Sequence, residues 1–359
     1  MKDSSRSEIE VIIPNLNRRF SGITSTVAQV VPHQAKELEF AVVGSPLPIE
    51  IPHLGWSELV RIGRRPLPTG RPRIFHARRN NEMVAGLLLK WVFGCRLHLV
   101  FTSTAQRRHS RLTRFLYRHM DTLLSTSPRA ASFLVRQPDA IIPHGIDSET
   151  YHPAEDRGRA WREGGLPGKH GIGIFGRVRP QKGIREFVEA LCAVLPDHPE
   201  YTAVIVGQVT PKHRAFAEEM KSLIRKHGLE ERFRWMGKLP FEEIPLWFRR
   251  MSLVVCASRN EGFGLTCLEA MASGVPVIAT RAGAWEMIIR DRIDGWLVPT
   301  GDPHALAQAA DTALGNRARL TEMGGMARSR ILEDFTIERE SRALNRVYRD
   351  ILGGWPYPL

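Results

Sequence analysis

Short apolar, β-branched runs alternate with longer amphipathic stretches from one end of this chain to the other, and that alternation narrows its possible folds sharply. In the first half the strand candidates are Glu10–Pro14, Leu38–Gly44, Arg73–His76, Leu97–Thr102, Thr122–Ser125 and Ala140–Pro143. In the second they are Gly171–Phe175, Ala203–Gly207, Phe233–Met236, Leu253–Ala257, Pro276–Ala279 and Trp296–Val298. Helical patterns such as Ile184–Val194, His213–His227 and Pro303–Leu314 lie between them. Near-continuous apolar strands separated by helices predict parallel sheets covered on both faces. Two such series in 359 residues predict an α/β chain of two doubly wound, Rossmann-like domains, 1–150 and 151–335. The boundary is expected within Pro143–Pro167, where His144-Gly145, Pro153 and Gly164-Gly165 interrupt any regular element.

Composition removes other classes. Hydrophobic residues make up 43% and charged residues 25%, a globular balance. The polar start MKDSSRSEIE has no apolar signal core, and Met83 to Cys95, interrupted by Lys90, is too short to span a bilayer. Cys95, Cys192, Cys256 and Cys267 form no Cys-x-x-Cys pair, which suits reduced cytosolic thiols. Net charge is +13, and residues 1–150 hold 21 Lys or Arg against 12 Asp or Glu. Such a field attracts anionic membrane, nucleic acid or an acidic acceptor. Nucleic acid is set aside, because no recognised module or aromatic-basic interleaving accompanies the charge. A nicotinamide enzyme would need a Gly-x-Gly-x-x-Gly turn after a strand, and none follows any strand candidate.

Three segments carry chemistry. Glu261-Gly-Phe-Gly-Leu-Thr-Cys-Leu-Glu269 follows a strand and opens a helix near Leu265. Its glycines allow close backbone approach, the helix start suits a phosphate, and its two carboxylates suit sugar hydroxyls. Gly176-Arg-Val-Arg-Pro-Gln-Lys-Gly183 follows an earlier strand, so Arg177 and Lys182 reach the carboxyl end of the sheet, where a diphosphate would bind. Ser21-Gly-Ile-Thr-Ser-Thr26, around Gly22, opens the first helix with free N–H groups. Glu261 and Glu269 alone would also fit a two-carboxylate glycosidase, but hydrolysis gives the diphosphate loop no role.

Together these segments resemble the retaining glycosyltransferases of family 4, clearly across Gly171 to Pro299 and more weakly across residues 8–147. The carriers are the Glu-x₇-Glu element enclosing Gly-Phe-Gly-Leu, Gly-Arg-x₄-Lys-Gly, Pro143-His-Gly-Ile-Asp147 and Gly295-Trp-Leu-Val-Pro299. The resemblance implies the GT-B fold: two Rossmann-like domains facing a cleft, with a terminal segment, 336–359, returning as a helix (about Glu338–Leu352) to the first domain. It implies that Arg177 and Lys182 hold the donor diphosphate and that the Gly22 loop closes over it. Glu261 with Phe263, Gly264 and Leu265 would hold the transferred sugar, and Glu269 the ribose. Arg177, Lys182 and Glu261 are the expected catalytic groups. No Asp-x-Asp pair occurs, so neither metal nor organic cofactor is expected.

Relatives carry a His after the fourth strand; here Thr104 stands about there and His109 is offset. Arg107, Arg111, Arg114 and Arg118 fall at helical spacing and predict one cationic stripe. Arg78 and Arg79, at a strand end, join Thr104 and His109 as candidate acceptor ligands; guanidinium suits carboxylate or phosphate. The strings His76-Ala-Arg-Arg-Asn-Asn-Glu82 and Thr104-Ala-Gln-Arg-Arg-His-Ser110 are similar to those of lipopolysaccharide core mannosyltransferases of rhizobia and related bacteria. That subgroup implies a GDP-mannose donor, a Kdo acceptor in the inner core, and a cytoplasmic enzyme with peripheral contact to the anionic inner membrane. A UDP-sugar on another envelope glycolipid is the alternative.

Overall fold

The computed structural model describes residues 4–17 and 21–353, which divide into two compact units. Unit 1 comprises 1–145 with 337–359, and unit 2 comprises 146–336. The exchange at Gly145 and Ile146 lies inside the expected boundary segment. That segment is not wholly irregular, however, since Arg157–Glu163 forms a helix. Asp156 starts it by accepting a hydrogen bond from the Arg159 N–H at 2.9 Å, a cap stronger than the surrounding glycines are disruptive.

Unit 1 holds one parallel sheet of seven strands. These are β1 (Val11–Asn15), β2 (Phe40–Gly44), β3 (His53–Leu54), β4 (Arg73–Ala77), β5 (Leu97–Ser103), β6 (Thr122–Ser125) and β7 (Ala140–Ile141). They lie in the order β3-β2-β1-β4-β5-β6-β7, with Ile12 opposite both Ala41 and Phe75. The two-residue edge strand β3 is the one element of this sheet without an apolar run to announce it.

Unit 2 holds six parallel strands: β8 (His170–Phe175), β9 (Tyr201–Val206), β10 (Phe233–Gly237), β11 (Met251–Cys256), β12 (Val277–Thr280) and β13 (Gly295–Val298). Their order is β10-β9-β8-β11-β12-β13. In each sheet the chain winds outward one way and then restarts beside its first strand. This produces a switch point between β1 and β4 and another between β8 and β11.

Alternate side chains explain the double cover. Leu253 and Val255 enter one core of unit 2 with Phe187 and Leu191 of the Ile184–Val194 helix. Val254 and Cys256 enter the opposite core with Cys267 and Met271 of the Leu265–Ala272 helix. Both faces are apolar, which is why the strand reads as a continuous run. In unit 1, Ile12 and Phe75 pack on Met83 and Leu87, while Val11 and Ile13 face the Gly22–Gln34 helix. The last helix, Ile337–Gly353, completes that second face with Leu344, Val347, Tyr348 and Ile351. Each such side chain contributes about 1.5–3 kcal/mol through burial.

Candidate functional site

At the β8–β11 switch point the chain leaves β8 through Gly176 and an exposed Arg177, then makes a 3₁₀ turn at Pro180–Lys182. Gly183 follows at φ 71°, and a Cβ there would stand 2.0 Å from the Ala257 carbonyl oxygen. Only glycine lets this loop lean on the exit of β11. The Arg259 N–H donates to the Gln181 oxygen at 3.0 Å, and the Arg259 guanidinium donates to Glu186 at 2.5 Å, so the two loops are tied. Their approach brings the Lys182 ammonium onto Glu261 Oε2. The Ser258 hydroxyl donates to the same oxygen at 3.3 Å, and the Gly262 N–H donates to Oε1 at 3.3 Å. Lys182 and Glu261 remain 21% and 20% exposed, so a ligand can reach the pair.

Beyond Glu261, Phe263 is buried and Gly264 turns at φ 91°. The Trp285 indole N–H donates to the Gly264 oxygen at 3.0 Å, and a Cβ on Gly264 would meet that nitrogen at 2.3 Å. This turn launches the Leu265–Ala272 helix, whose free N–H groups make its start electropositive. Glu269 lies one turn in and receives the Tyr151 hydroxyl at 3.3 Å. Burial pushes the Glu269 carboxyl up to about 7, against the opposing pull of the Tyr151 hydrogen bond and the Lys182 charge. Burial and the neighbouring Glu269 push the Tyr151 phenol upward, so it stays a donor. Phe175, Lys182, Ser258, Glu261, Thr266 and Trp285 line a small concavity here. Tyr151 and Trp285 escape a reading of the sequence, because the motif says nothing about chain folded in from elsewhere, and Ser258 stands three residues ahead of Glu261, outside the motif.

At the β1–β4 switch point, Ser21 caps its helix by accepting the Thr24 N–H at 3.3 Å, and Gly22 faces open space. Arg78 and Arg79 lie just past β4, which ends at Ala77. The Arg79 guanidinium donates to Asn15 Oδ1 (3.4 Å), Glu82 Oε1 (2.6 Å), Ser21 Oγ (3.1 Å) and Thr24 Oγ1 (2.9 Å). It therefore fastens the start of the Gly22–Gln34 helix to the start of the Asn80–Trp91 helix. Arg78 instead lies beside His76 and Tyr348, with Nη1 buried and without a hydrogen-bond partner. His76 is wholly buried between the Tyr348 hydroxyl at 2.5 Å and the Thr102 hydroxyl at 2.7 Å. Burial, then the Arg78 charge, holds its imidazole well below the usual histidine range.

Thr104 and His109 lie one strand farther on, in the loop after β5; His109 sits against the Tyr117 hydroxyl at 3.3 Å. The expected four-arginine stripe is shorter than its spacing implied. Ser110 accepts the Thr113 N–H at 3.2 Å and caps a helix spanning Arg111–Arg118, which leaves Arg107 in the preceding loop. The Gly145 N–H and His144 both bond Glu340, at 2.8 Å each, so the last helix is anchored within unit 1. No group of three or more His, Cys, Asp or Glu gathers at metal-binding distance among the described residues.

Comparison with known proteins gives this geometry a family. Residues 162–330 match the family described as glycosyl transferases group 1. The lipopolysaccharide core biosynthesis mannosyltransferase LpcC of Rhizobium leguminosarum bv. viciae is 43% identical, over 96% of this chain and 97% of its own. The corresponding enzyme LpsB of Rhizobium meliloti is 40% identical, over 96% and 98%. The crystal structure of Anabaena HepE with UDP and glucose superposes with a TM-score of 0.81 at 18% identity, covering 94% of this chain and 99% of that one. That likeness shows the fold, the expected GT-B. The chain thus belongs to the group 1 glycosyltransferases, sharing nearly its full length with the lipopolysaccharide core biosynthesis mannosyltransferases.

Proposed function

We propose that the protein transfers mannose from GDP-mannose to a Kdo residue of the lipopolysaccharide inner core, with retention of the α configuration, at the cytoplasmic face of the inner membrane. The observation that carries this reading is the ligand-accessible Lys182–Glu261 pair beside an electropositive helix start, in a chain whose full-length relatives are named core mannosyltransferases. In this reading Arg177 and Lys182 hold the donor diphosphate, and Lys182 exchanges Glu261 for phosphate oxygen. Glu261, freed, accepts hydrogen bonds from the sugar, together with the backbone of Phe263, Gly264 and Leu265. Glu269 accepts from the ribose hydroxyls, and the Gly22 loop covers the diphosphate.

The bond from the anomeric carbon to the phosphate oxygen breaks while the acceptor oxygen attaches on the same face. The acceptor hydroxyl proton passes to the leaving phosphate. Two cations offset the charge on that phosphate, so a divalent metal has no task. On the acceptor side, the half-buried Arg78 supplies positive charge toward an acceptor carboxylate, Arg79 holds the surrounding frame, and Thr104 and His109 extend the surface.

The test is a panel of GDP-, UDP- and ADP-sugars offered with deacylated core acceptors, with and without EDTA. GDP release with GDP-mannose alone, unchanged by EDTA, is expected. Release of UDP instead would overturn the donor, and loss of turnover in EDTA would overturn the metal-free scheme.

A further inference from the structure

The amino ends of β8, β9 and β11 lie at the other end of the unit 2 sheet from Lys182 and Glu261, roughly 20 Å away along six-residue strands. A cavity of about 50 Å³ opens there, with Arg157, His170, Tyr201, Ser252, Arg317 and Thr321 in its wall. His170 and Tyr201 are register partners at the first positions of β8 and β9, with ring centroids 5.0 Å apart. Ser252 reaches the cavity through a bulge. Met251 stands opposite Gly171 and Leu253 opposite Ile172, so the residue between them is extra. Met251 and Leu253 consequently enter opposite cores, and Ser252 is left to line the cavity.

Three of these groups are buried without a partner. Tyr201 is 1% exposed, His170 8% and Ser252 9%. Among the described residues, neither hydroxyl and neither ring nitrogen has a hydrogen bond. Leaving one such group unpaired costs about 1–3 kcal/mol, so three in one wall mark a place for a ligand's oxygens. Charge names the ligand. The Arg157 guanidinium is fixed by the Gly274 oxygen at 2.9 Å, while its enclosed Nε has no partner. Arg317 is exposed and forms no ion pair among the described residues. Of the charges acting on the His170 ring, Arg317, Lys169 and Arg157 are positive and Glu200 alone is negative. Two guanidiniums with hydroxyl donors suit an oxyanion, which they meet with charge-assisted hydrogen bonds. One water needs about 10–15 Å³, so this cavity takes a phosphate-sized group and excludes a nucleotide. The arginines repel a metal cation, and an apolar ligand would leave the buried hydroxyls unpaired.

We propose that this cavity is a second anion site of unit 2, apart from the donor end of the sheet, and that it binds a phosphate group. The group is either the free ion or the end of a small metabolite whose remainder projects past Arg317. The site does not depend on the donor and acceptor assigned above.

The experiment is equilibrium dialysis of the full chain against radiolabelled inorganic phosphate at constant ionic strength. The Lys182→Ala variant silences phosphate binding at the donor end, and Arg317→Gln and Tyr201→Phe are each added to it. Lys182→Ala is expected to retain one phosphate per chain, held about tenfold more weakly once either second substitution is present. Arg317 is exposed and Tyr201→Phe keeps its ring, so the melting temperature should hold in both; should Tyr201→Phe unfold, Arg317→Gln carries the test alone. Unlabelled glycerol 3-phosphate and chloride are then offered as competitors. Displacement by glycerol 3-phosphate at lower concentration than by phosphate supports the site and makes a phosphorylated metabolite its occupant. Displacement at equal or higher concentration supports the site with the free ion as occupant. Chloride competing as well as phosphate overturns the proposal, because the cavity would then be a general field of positive charge. So does undiminished binding in the Arg317 and Tyr201 variants. Loss of all binding in Lys182→Ala also overturns it, while leaving the donor reading intact.

Discussion

The two switch points share a topology and differ in what their cations are free to do. Between β8 and β11, Lys182 pairs with Glu261 at a place where both side chains are about a fifth exposed. Between β1 and β4, Arg79 pairs with Glu82 where the side chains are 11% and 1% exposed, and three further oxygens occupy its guanidinium. The first pair is exchangeable, because a phosphate can replace the carboxylate without leaving a buried charge behind. The second is fixed, since any ligand would have to take the counter-charge from a buried carboxylate, leaving it only the Arg78 N–H at 2.8 Å. Under the proposed function, the exposure of the ion pair separates the switch point that takes the donor from the one that holds the frame.

The sharpest way to break this contrast is Lys182→Ala. Turnover is expected to fall about 10²–10³-fold, roughly 3–4 kcal/mol of transition-state stabilisation, while the melting temperature stays nearly constant. Near-normal turnover by steady-state kinetics would remove Lys182 from the diphosphate. Arg79→Ala should do the reverse, lowering unfolding free energy by about 3 kcal/mol in urea titration because Glu82 is left buried without its counter-charge. A large KM effect with unchanged stability would make Arg79 a ligand after all.

Glu269→Gln sharpens the contrast through pH. The folded carboxyl titrates near 7 against about 4.5 unfolded, so the folded state binds more protons between those values, and its contribution to stability is lost as pH rises through 7. The variant should be flatter over that range and more stable than wild type at pH 8 by on the order of 1–3 kcal/mol, with weaker donor binding. Matching pH profiles by thermal denaturation would contradict this. Smallest is Tyr348→Phe, expected to cost about 1 kcal/mol by removing one of the two hydroxyl partners of His76. His76 works with the opposite sign: its depressed pKa supplies stability above its unfolded value, near 6.5, that is lost as pH falls below it.

Much of this is legible in the sequence. Strands such as Leu253–Ala257 were readable to within two residues because a parallel strand buried on both faces is an unbroken apolar run. The Ile184–Val194 helix was readable to the residue, bounded by Gly183 and the proline after Leu195. Lys182 and Glu261 could be nominated because each follows a strand end and carries its glycines with it. What failed to show depends on partners far away in the chain. Arg78 and Arg79 are identical letters side by side, and only Ser21, Thr24 and Tyr348 separate a buried free nitrogen from a four-bond fastening. Periodicity also ran through the Ser110 cap and placed Arg107 on a helix that begins later.

The helix Ile337–Gly353 is last in the chain and yet part of the first unit, and this sets an order of events during synthesis. Unit 2 is contiguous, from 146 to 336, and has all its core residues once Thr336 is made. Unit 1 is then still missing Leu344, Val347, Tyr348 and Ile351, so Val11, Ile13, Val27 and Val30 wait without their cover. The half made first is therefore completed last. A truncation that stops the chain before Ile337 would damage the amino-terminal unit, hundreds of residues from the cut, and leave the unit beside the cut intact.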